Sequence, residues 1–468
     1  MIKFERKGIS PQRVVFTALI LFVFSFGFLA LFINSNDTNA FNLQQMGIES
    51  LVERGHFYLE GSRVPQLQPM GDTFLYNGHV YAAKQPGQFV IGSAVYFLLR
   101  LFGVSYMKNY TLAGGLVTLF TSVPMTAAMM ALVFLIVFHI TGSQGSSIMI
   151  AFFTGLGTIL FPYSGVTHHD VFGTFFSFLA FFLLFYNYRI RRNNGHSHGP
   201  SLPVFLAGFF SGFSLFSSLL QLAPVMSIAL YVLLFRRRKD IVLFAAAFLV
   251  GILPMLVFNW SVFGNPLTFP NIAGHFSDTM PHFNLRNILK KVFFYMLSPS
   301  NAVFFYSPVF AFSLGGLFRF PEDLFPEKTA LLACVLLLLC HICTMETFGG
   351  SQFGPRYLLP AMPFGMIGLA GYFSRKKDGS HVPNLIRNIV MIAGVVSIII
   401  CATGSLMGVM YHKIYMHAFP VYLRRIMSGH LPLFEFIYPG LFLIALSFVL
   451  YFFRIFSIHI SPGQGKRA

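Results

Sequence analysis

Twelve mostly apolar stretches of roughly twenty residues follow one another along this chain, each long enough to cross a bilayer as a helix. They fall near 14–34, 111–138, 147–163, 171–188, 203–219, 220–235, 241–258, 302–318, 329–346, 357–373, 389–411 and 433–453, with the pair at 203–235 short and joined around Gln221. Backbone polar groups in lipid must be satisfied within the segment, so runs of this length form helices. Only 10% of the 468 residues are charged and 60 are Phe, whereas soluble domains carry about 25% charge. The fold class expected is therefore an all-α polytopic membrane protein, read as a single transmembrane domain over 1–468. Within it, 35–110 forms a first outer loop with interfacial helices, and 259–301 forms a second outer loop.

Lys and Arg outnumber Asp and Glu by 32 to 15, a net +17. The excess sits in short loops: the N-terminus (Lys3, Arg6, Lys7, Arg13), 189–192, 236–239, 375–377 and the tail (Arg454, Lys466, Arg467). That distribution is an orientation signal and not a nucleic-acid surface. The segment 88–104 decides the count. As a span it would put 189–192 opposite the basic N-terminus; as an interfacial or re-entrant helix it leaves every basic cluster on one side. Both termini are then cytoplasmic, and the first run, Val14–Ile33, is a retained helix. The four cysteines lie inside apolar segments and read as packing residues, with no disulfide or metal-ligand spacing.

The regions 35–86, 164–170, 259–301, 347–356 and 412–432 fall on the outer face, and the residues able to do chemistry gather there. Asp37 follows the first span, and Asn42–Tyr58 has the pattern of an amphipathic surface helix whose charges form a solvated face. Lys84 precedes Pro86-Gly87 and suits an anionic head group or a snorkelling anchor. His168-His169-Asp170 is a dense polar triplet. Consecutive histidines cannot share one helix side, so its roles are an acid that orients an acceptor or one ligand of a composite site; a divalent cation is compatible and no particular metal is indicated. Arg356 closes the glycine-rich run Phe348–Pro355 at the mouth of a helix. A boundary arginine needs an anion, either a phosphate or the carboxylate of Asp37 or Glu346. No Walker loop or dinucleotide fingerprint is present.

In order and spacing these features resemble the GT-C superfamily of membrane glycosyltransferases, the group of the protein O-mannosyltransferases and the lipid A aminoarabinose transferase. The likeness is one of layout over most of the chain and of motif over short stretches. An acid opens the first outer loop (Asp37, in Asn36-Asp37), a Lys-Pro-Pro type segment is matched with one proline (Lys84-Gln85-Pro86), and a second loop carries Asp170 after His168-His169. The runs Trp260–Pro266, Phe305–Pro308 and Gly349–Tyr357 look like those of bacterial members, the last being the most specific. The resemblance implies transfer of a sugar from a polyprenyl-phosphate donor to a lipid, glycan or protein acceptor at the outer leaflet. Asp37 would be the base or acceptor-holding residue. Asp170, with His169, would position sugar or acceptor or bind a cation, and Lys84 and Arg356 would neutralise the leaving phosphate. Location in a bacterial inner membrane with a periplasmic active face follows from the same likeness. The competing reading is a transporter or flippase for a lipid-linked precursor. It predicts polar residues along a mid-membrane path and repeat symmetry, whereas the candidates here crowd one face and no internal repeat is evident.

Overall fold

The computed structural model describes residues 11–68, 71–191, 202–276, 283–374, 382–413 and 415–459. The basic positions 3–7, 192, 375–377 and 466–467 lie outside the described residues.

Pro11 opens the first helix, α1 (Pro11–Ala30), at a position where its missing N–H is not needed. Two short helices follow, α2 (Ser35–Ala40) and α3 (Asn42–Glu49), the latter continuing as a wider turn to Arg54. Next come strands β1 (Thr73–Tyr76) and β2 (His79–Ala82), then α4 (Gly87–Leu101). The hairpin was not anticipated, and it is the only sheet among the described residues. Its turn is Asn77-Gly78, both at positive φ (46° and 81°), the pairing that two-residue hairpins favour.

The bundle proper runs α5 (Tyr110–Leu119), α6 (Ser122–Thr141), α7 (Gln144–Leu156), α8 (Leu160–Ser164), α9 (His169–Phe185), α10 (Leu202–Ser217), α11 (Leu222–Phe235) and α12 (Arg238–Phe263). The 259–301 region begins as the end of α12 and carries α13 (Pro270–Ala273) and α14 (Leu285–Met296). Then follow α15 (Val303–Tyr306), α16 (Pro308–Leu317), α17 (Phe325–Thr344), α18 (Met362–Met366), α19 (Ala370–Phe373), α20 (Asn384–Met407), α21 (Ala418–Met427) and α22 (Ile437–His459). Among the described residues, six helical stretches are long and apolar enough to cross a membrane: 11–30, 110–141, 169–190, 238–263, 322–344 and 384–407. Five shorter apolar helices accompany them, and the chain is a helical membrane protein. At 15 residues, α4 is about 22 Å long, short of a hydrocarbon core of about 30 Å.

The run 357–373, expected as one span, is broken into short 3₁₀ and α pieces. Pro360 and Pro363 remove backbone donors, and glycines let the pieces press on α16. A Cβ at Gly368 would lie 2.1 Å from Ser313 O, and one at Gly371 2.1 Å from Gly316 O. The same close approach joins α1 to α22, where a Cβ at Gly27 would stand 2.7 Å from Gly440 O.

Charges expected on solvated faces prove to be internal ties. Glu49 is buried against Arg54, and Glu53 takes Arg100 (2.6 Å) and the Tyr96 hydroxyl (2.8 Å), clamping α3 and its extension to α4. Two of the basic loop residues, Arg189 and Arg236, converge on buried Glu327 at the start of α17. That end of the bundle is thereby locked, and the chemistry-bearing residues lie at the other.

Candidate functional site

Asn34 ends the first span and caps α2, its side-chain oxygen accepting from Asn36 N and Asp37 N. Its amide reaches the end of α20, donating to Ser405 O (3.1 Å). This brings Asp37 to the turn after α20, where Oδ1 accepts from Val409 N (2.8 Å). Asp37 is 1% exposed, and among the described residues Oδ2 has no hydrogen-bond partner. Burial pushes the carboxyl up to about 7, the Val409 hydrogen bond pulling it back in part. A carboxyl held near neutrality with one oxygen open has the properties of a general base. Gly408 permits the contact: its φ is +88° and a Cβ there would stand 3.0 Å from Asp37 Oδ1. Gly408→Ala is therefore expected to lower both thermal stability, by about 1–3 kcal/mol of strain, and activity, measured together in one purified preparation.

Phe41, just beyond α2, places its ring edge-on to His168 (centroids 5.5 Å), and Tyr163 does so from α8 (5.1 Å). His168 precedes α9 and caps it, Nδ1 lying 3.2 Å from Asp170 N, while Nε2 receives Arg356 Nη1 at 3.3 Å. A neutral imidazole accepts at only one nitrogen. Here both ring nitrogens face an N–H donor, Asp170 N at Nδ1 and Arg356 Nη1 at Nε2, and Asp170 Oδ2 stands 3.7 Å from Nδ1. Burial, with cationic neighbours, holds His168 well below its ordinary value and therefore neutral. Asp170 Oδ1 accepts from Ser218 Oγ (2.7 Å) at the break between α10 and α11, and His169 Nε2 lies 3.4 Å from the same oxygen.

His168, His169 and Asp170 each offer a ligand atom within 4.8 Å of one another. The helical-face objection to such a triplet does not apply, because His168 sits in the cap and not on the helix. The group could hold a divalent cation, with His169 Nδ1 and Asp170 Oδ2 unpartnered among the described residues; both nitrogens of His168 already face N–H donors.

Arg356 is 7% exposed. Its loop is fixed from several sides: Phe353 N donates to Val409 O (2.8 Å), Tyr411 N to Ser351 O (3.0 Å), and the Tyr163 hydroxyl to Phe353 O (3.1 Å). Lys291 on α14 donates to the carbonyls of Glu346 and Thr347 and lies over the Phe348 ring (3.4 Å). Glycines 349, 350 and 354 all have positive φ, conformations costly for other residues. Among the described residues Arg356 makes no ion pair with a carboxylate: Asp170 and Asp72 interact with it only through their fields, and the exposed Glu346 contributes its backbone carbonyl to Lys291. Its Nε has no hydrogen-bond partner among the described residues. A buried guanidinium lacking a counter-ion is costly, so an anion from outside the protein suits the position.

Lys84 leads from β2 into α4, and its charge is felt by His168 and His169. Its ammonium pairs with Asp72 at 3.0 Å, and Lys84 with Arg356 holds the Asp72 carboxyl below the usual range. Asp72 is half out in solvent (side chain 59% exposed) and has a positive φ of 61°. It occupies Lys84 as a phosphate would. Asp72→Asn should therefore tighten binding of a lipid phosphate by about threefold, a surface-pair effect of a few tenths of a kcal/mol to one, read by titration in detergent.

His168, His169, Asp170 and Arg356 lie together with the Lys84 charge in reach of both histidines, Asp37 is joined to the Arg356 loop through Val409, and Glu346 is exposed. Reading the sequence missed Asn34, Asp72, Tyr163, Ser218 and Gly408. Asn34 carried the signal of an N-cap before Asp37, and the others act across long sequence separations.

No protein-family model matches the sequence, and no curated protein does. Among solved structures, the chain is similar to ArnT from Cupriavidus metallidurans bound to undecaprenyl phosphate, with 15% identity and a TM-score of 0.49 over 94% of this chain and 77% of that one. It is also similar to the archaeal oligosaccharyltransferase AglB from Archaeoglobus fulgidus in complex with an inhibitory peptide and a dolichol-phosphate (12%, 0.47, 83% of this chain and 56% of that one). The Archaeoglobus fulgidus oligosaccharyltransferase in its apo form gives 13%, 0.45, 86% and 56%.

Proposed function

We propose that this protein is a membrane glycosyltransferase that moves a sugar from a polyprenyl-phosphate donor to a lipid, glycan or protein acceptor, at the end of the bundle that carries Asp37 and Arg356. The observation that carries this reading is that one turn, at Val409, anchors both a carboxyl poised near pH 7 and the loop of a buried guanidinium that has no carboxylate partner among the described residues. In the reaction, Asp37 Oδ2 takes the proton of the acceptor hydroxyl as its oxygen attacks the anomeric carbon. The bond from that carbon to the phosphate oxygen breaks, and its electron pair leaves with the lipid phosphate. Arg356 and Lys84 hold the charge that develops there, where a preorganised cation in a dry site has its largest effect. Asp170, fixed by Ser218, holds a hydroxyl of sugar or acceptor. With the basic loops on the opposite side, this end faces the periplasm of a bacterial inner membrane and both termini the cytoplasm. The test is transfer of radiolabelled sugar from a panel of polyprenyl-phosphate donors by purified, reconstituted protein. Transfer lost with Asp37→Asn and Arg356→Ala supports the reading. Movement of intact donor across the bilayer without transfer would replace it with the flippase reading.

A further inference from the structure

Around the start of α4 lies a set of buried polar groups that the fold leaves unsatisfied. Gln85 and Gln88 are 3% and 0% exposed, and among the described residues neither amide oxygen nor amide nitrogen of either has a partner. Between them, Pro86-Gly87 presses on the end of α10: a Cβ at Gly87 would lie 2.6 Å from Phe216 O and 2.8 Å from Ser217 N. Ser217 Oγ is also buried and unpartnered, and the next residue, Ser218, is the one that holds Asp170. Asp170 Oδ2 and His169 Nδ1 belong to the same set. On the other flank α3 packs on α4, with Gly47 against the Phe89 ring and Gly92 against Ile48. That packing brings in Gln45, whose amide donates to Thr167 (3.1 Å), the residue before His168.

Each buried polar atom left unpaired costs about 1–3 kcal/mol, so such a concentration marks a place where a ligand supplies the missing partners. The chemistry of the set says which part of a ligand it is. An amide offers two donors and two acceptor lone pairs without charge. A phosphate only accepts and would leave the amide oxygens bare, and a prenyl chain does neither. A sugar hydroxyl both donates and accepts. The set also begins one residue after Lys84, as a sugar attached directly to a phosphate requires.

We infer that Gln85, Gln88 and Ser217 form the donor-sugar subsite and that it takes an uncharged, hydroxyl-rich ring; the inference rests on the polyprenyl-phosphate reading above. A uronic acid would put a carboxylate among amide oxygens, and an amino sugar would bring an ammonium beside Lys84 and Arg356.

The experiment compares binding of a hexosyl polyprenyl phosphate with that of the sugar-free polyprenyl phosphate. It uses reconstituted wild type, Gln85→Met, Gln88→Met and Lys84→Ala, with melting followed in parallel. Wild type should bind the hexosyl lipid more tightly. Each Met variant should lose about tenfold of that preference, the worth of one or two hydrogen bonds, with unchanged affinity for the bare lipid phosphate. Because Met has similar length and no polar atom to satisfy, Tm should not fall. Lys84→Ala should weaken both lipids. If the Met variants melt lower and lose both lipids equally, the glutamines are structural and the inference fails. It fails also if a uronosyl or aminoglycosyl donor is bound as well as the hexosyl one, the phosphate reading then standing alone. If neither lipid binds wild type, the donor reading itself falls.

Discussion

Asp37→Asn should abolish sugar transfer, with a loss of about 10²–10⁴-fold, the range that removal of a general base gives, in a protein that folds at least as well as wild type. The substitution is close to isosteric: asparagine keeps an Oδ1 to accept from Val409 N, and it removes the one atom, Oδ2, that could take a proton. Two pH measurements separate a catalytic from a structural role. The ionised carboxylate is the active form and the carboxyl is pushed up to about 7, so wild-type activity should rise with pH through about 7 and level off above it. For stability the sign is opposite. The folded value lies above the ordinary one, so the folded state binds the proton more tightly. The stability this gives is present at low pH and is lost as pH rises through about 7. Asparagine does not titrate, so the margin by which the variant melts above wild type should widen as pH rises from about 4 and level off above about 7. Transfer that survives Asp37→Asn would require a different base.

Arg356→Ala should cost about 10²–10³-fold in transfer, the usual effect of deleting a group aimed at developing charge, and should remove most of the affinity for sugar-free polyprenyl phosphate. Arg356→Lys should recover part of the affinity and less of the rate. Lysine restores charge, but not the planar fork that grips two phosphate oxygens at once. Because Arg356 lacks a carboxylate partner among the described residues and its Nε is unpartnered, its removal need not lower Tm, although alanine gives up the hydrogen bond to His168 Nε2. Unchanged lipid-phosphate binding in Arg356→Ala would rule the residue out as the anion site.

Crossing lengths were legible because bilayer thickness imposes one rule on every apolar run, and the breaks were not. Over 357–373 hydropathy reads as one span, yet Pro360, Pro363 and three packed glycines divide it, and their effect depends on α16, which the local sequence does not reveal. The hairpin is a different omission. Tyr76-Asn-Gly-His79 between alternating residues is a direct turn signal, overlooked beneath the stronger membrane pattern. Asp37, Lys84, Asp170 and Arg356 drew attention because acids and bases are scarce in so apolar a chain. What holds them could not be read, since it is long-range: Ser218 for Asp170, Val409 for Asp37, and Asp72 for Lys84 across the hairpin. The glutamines went unnoticed because a neutral polar residue stands out only once its burial and lack of partners are known.

The bond between Asp37 and Val409 spans 372 positions, and this bears on biogenesis. During synthesis helices enter the membrane in the order they are made, so Asp37 emerges with the first and its anchor only with α20. For most of translation the carboxyl has no partner, and the Arg356 loop lacks the strand-like contact of Phe353 with Val409 that fixes it. A nascent chain halted between residues 356 and 409 would carry both groups and still lack the geometry that sets them. A stop before residue 409 should then yield an inert fragment, and the membrane would meet no half-formed transferase of that kind able to consume its lipid carrier.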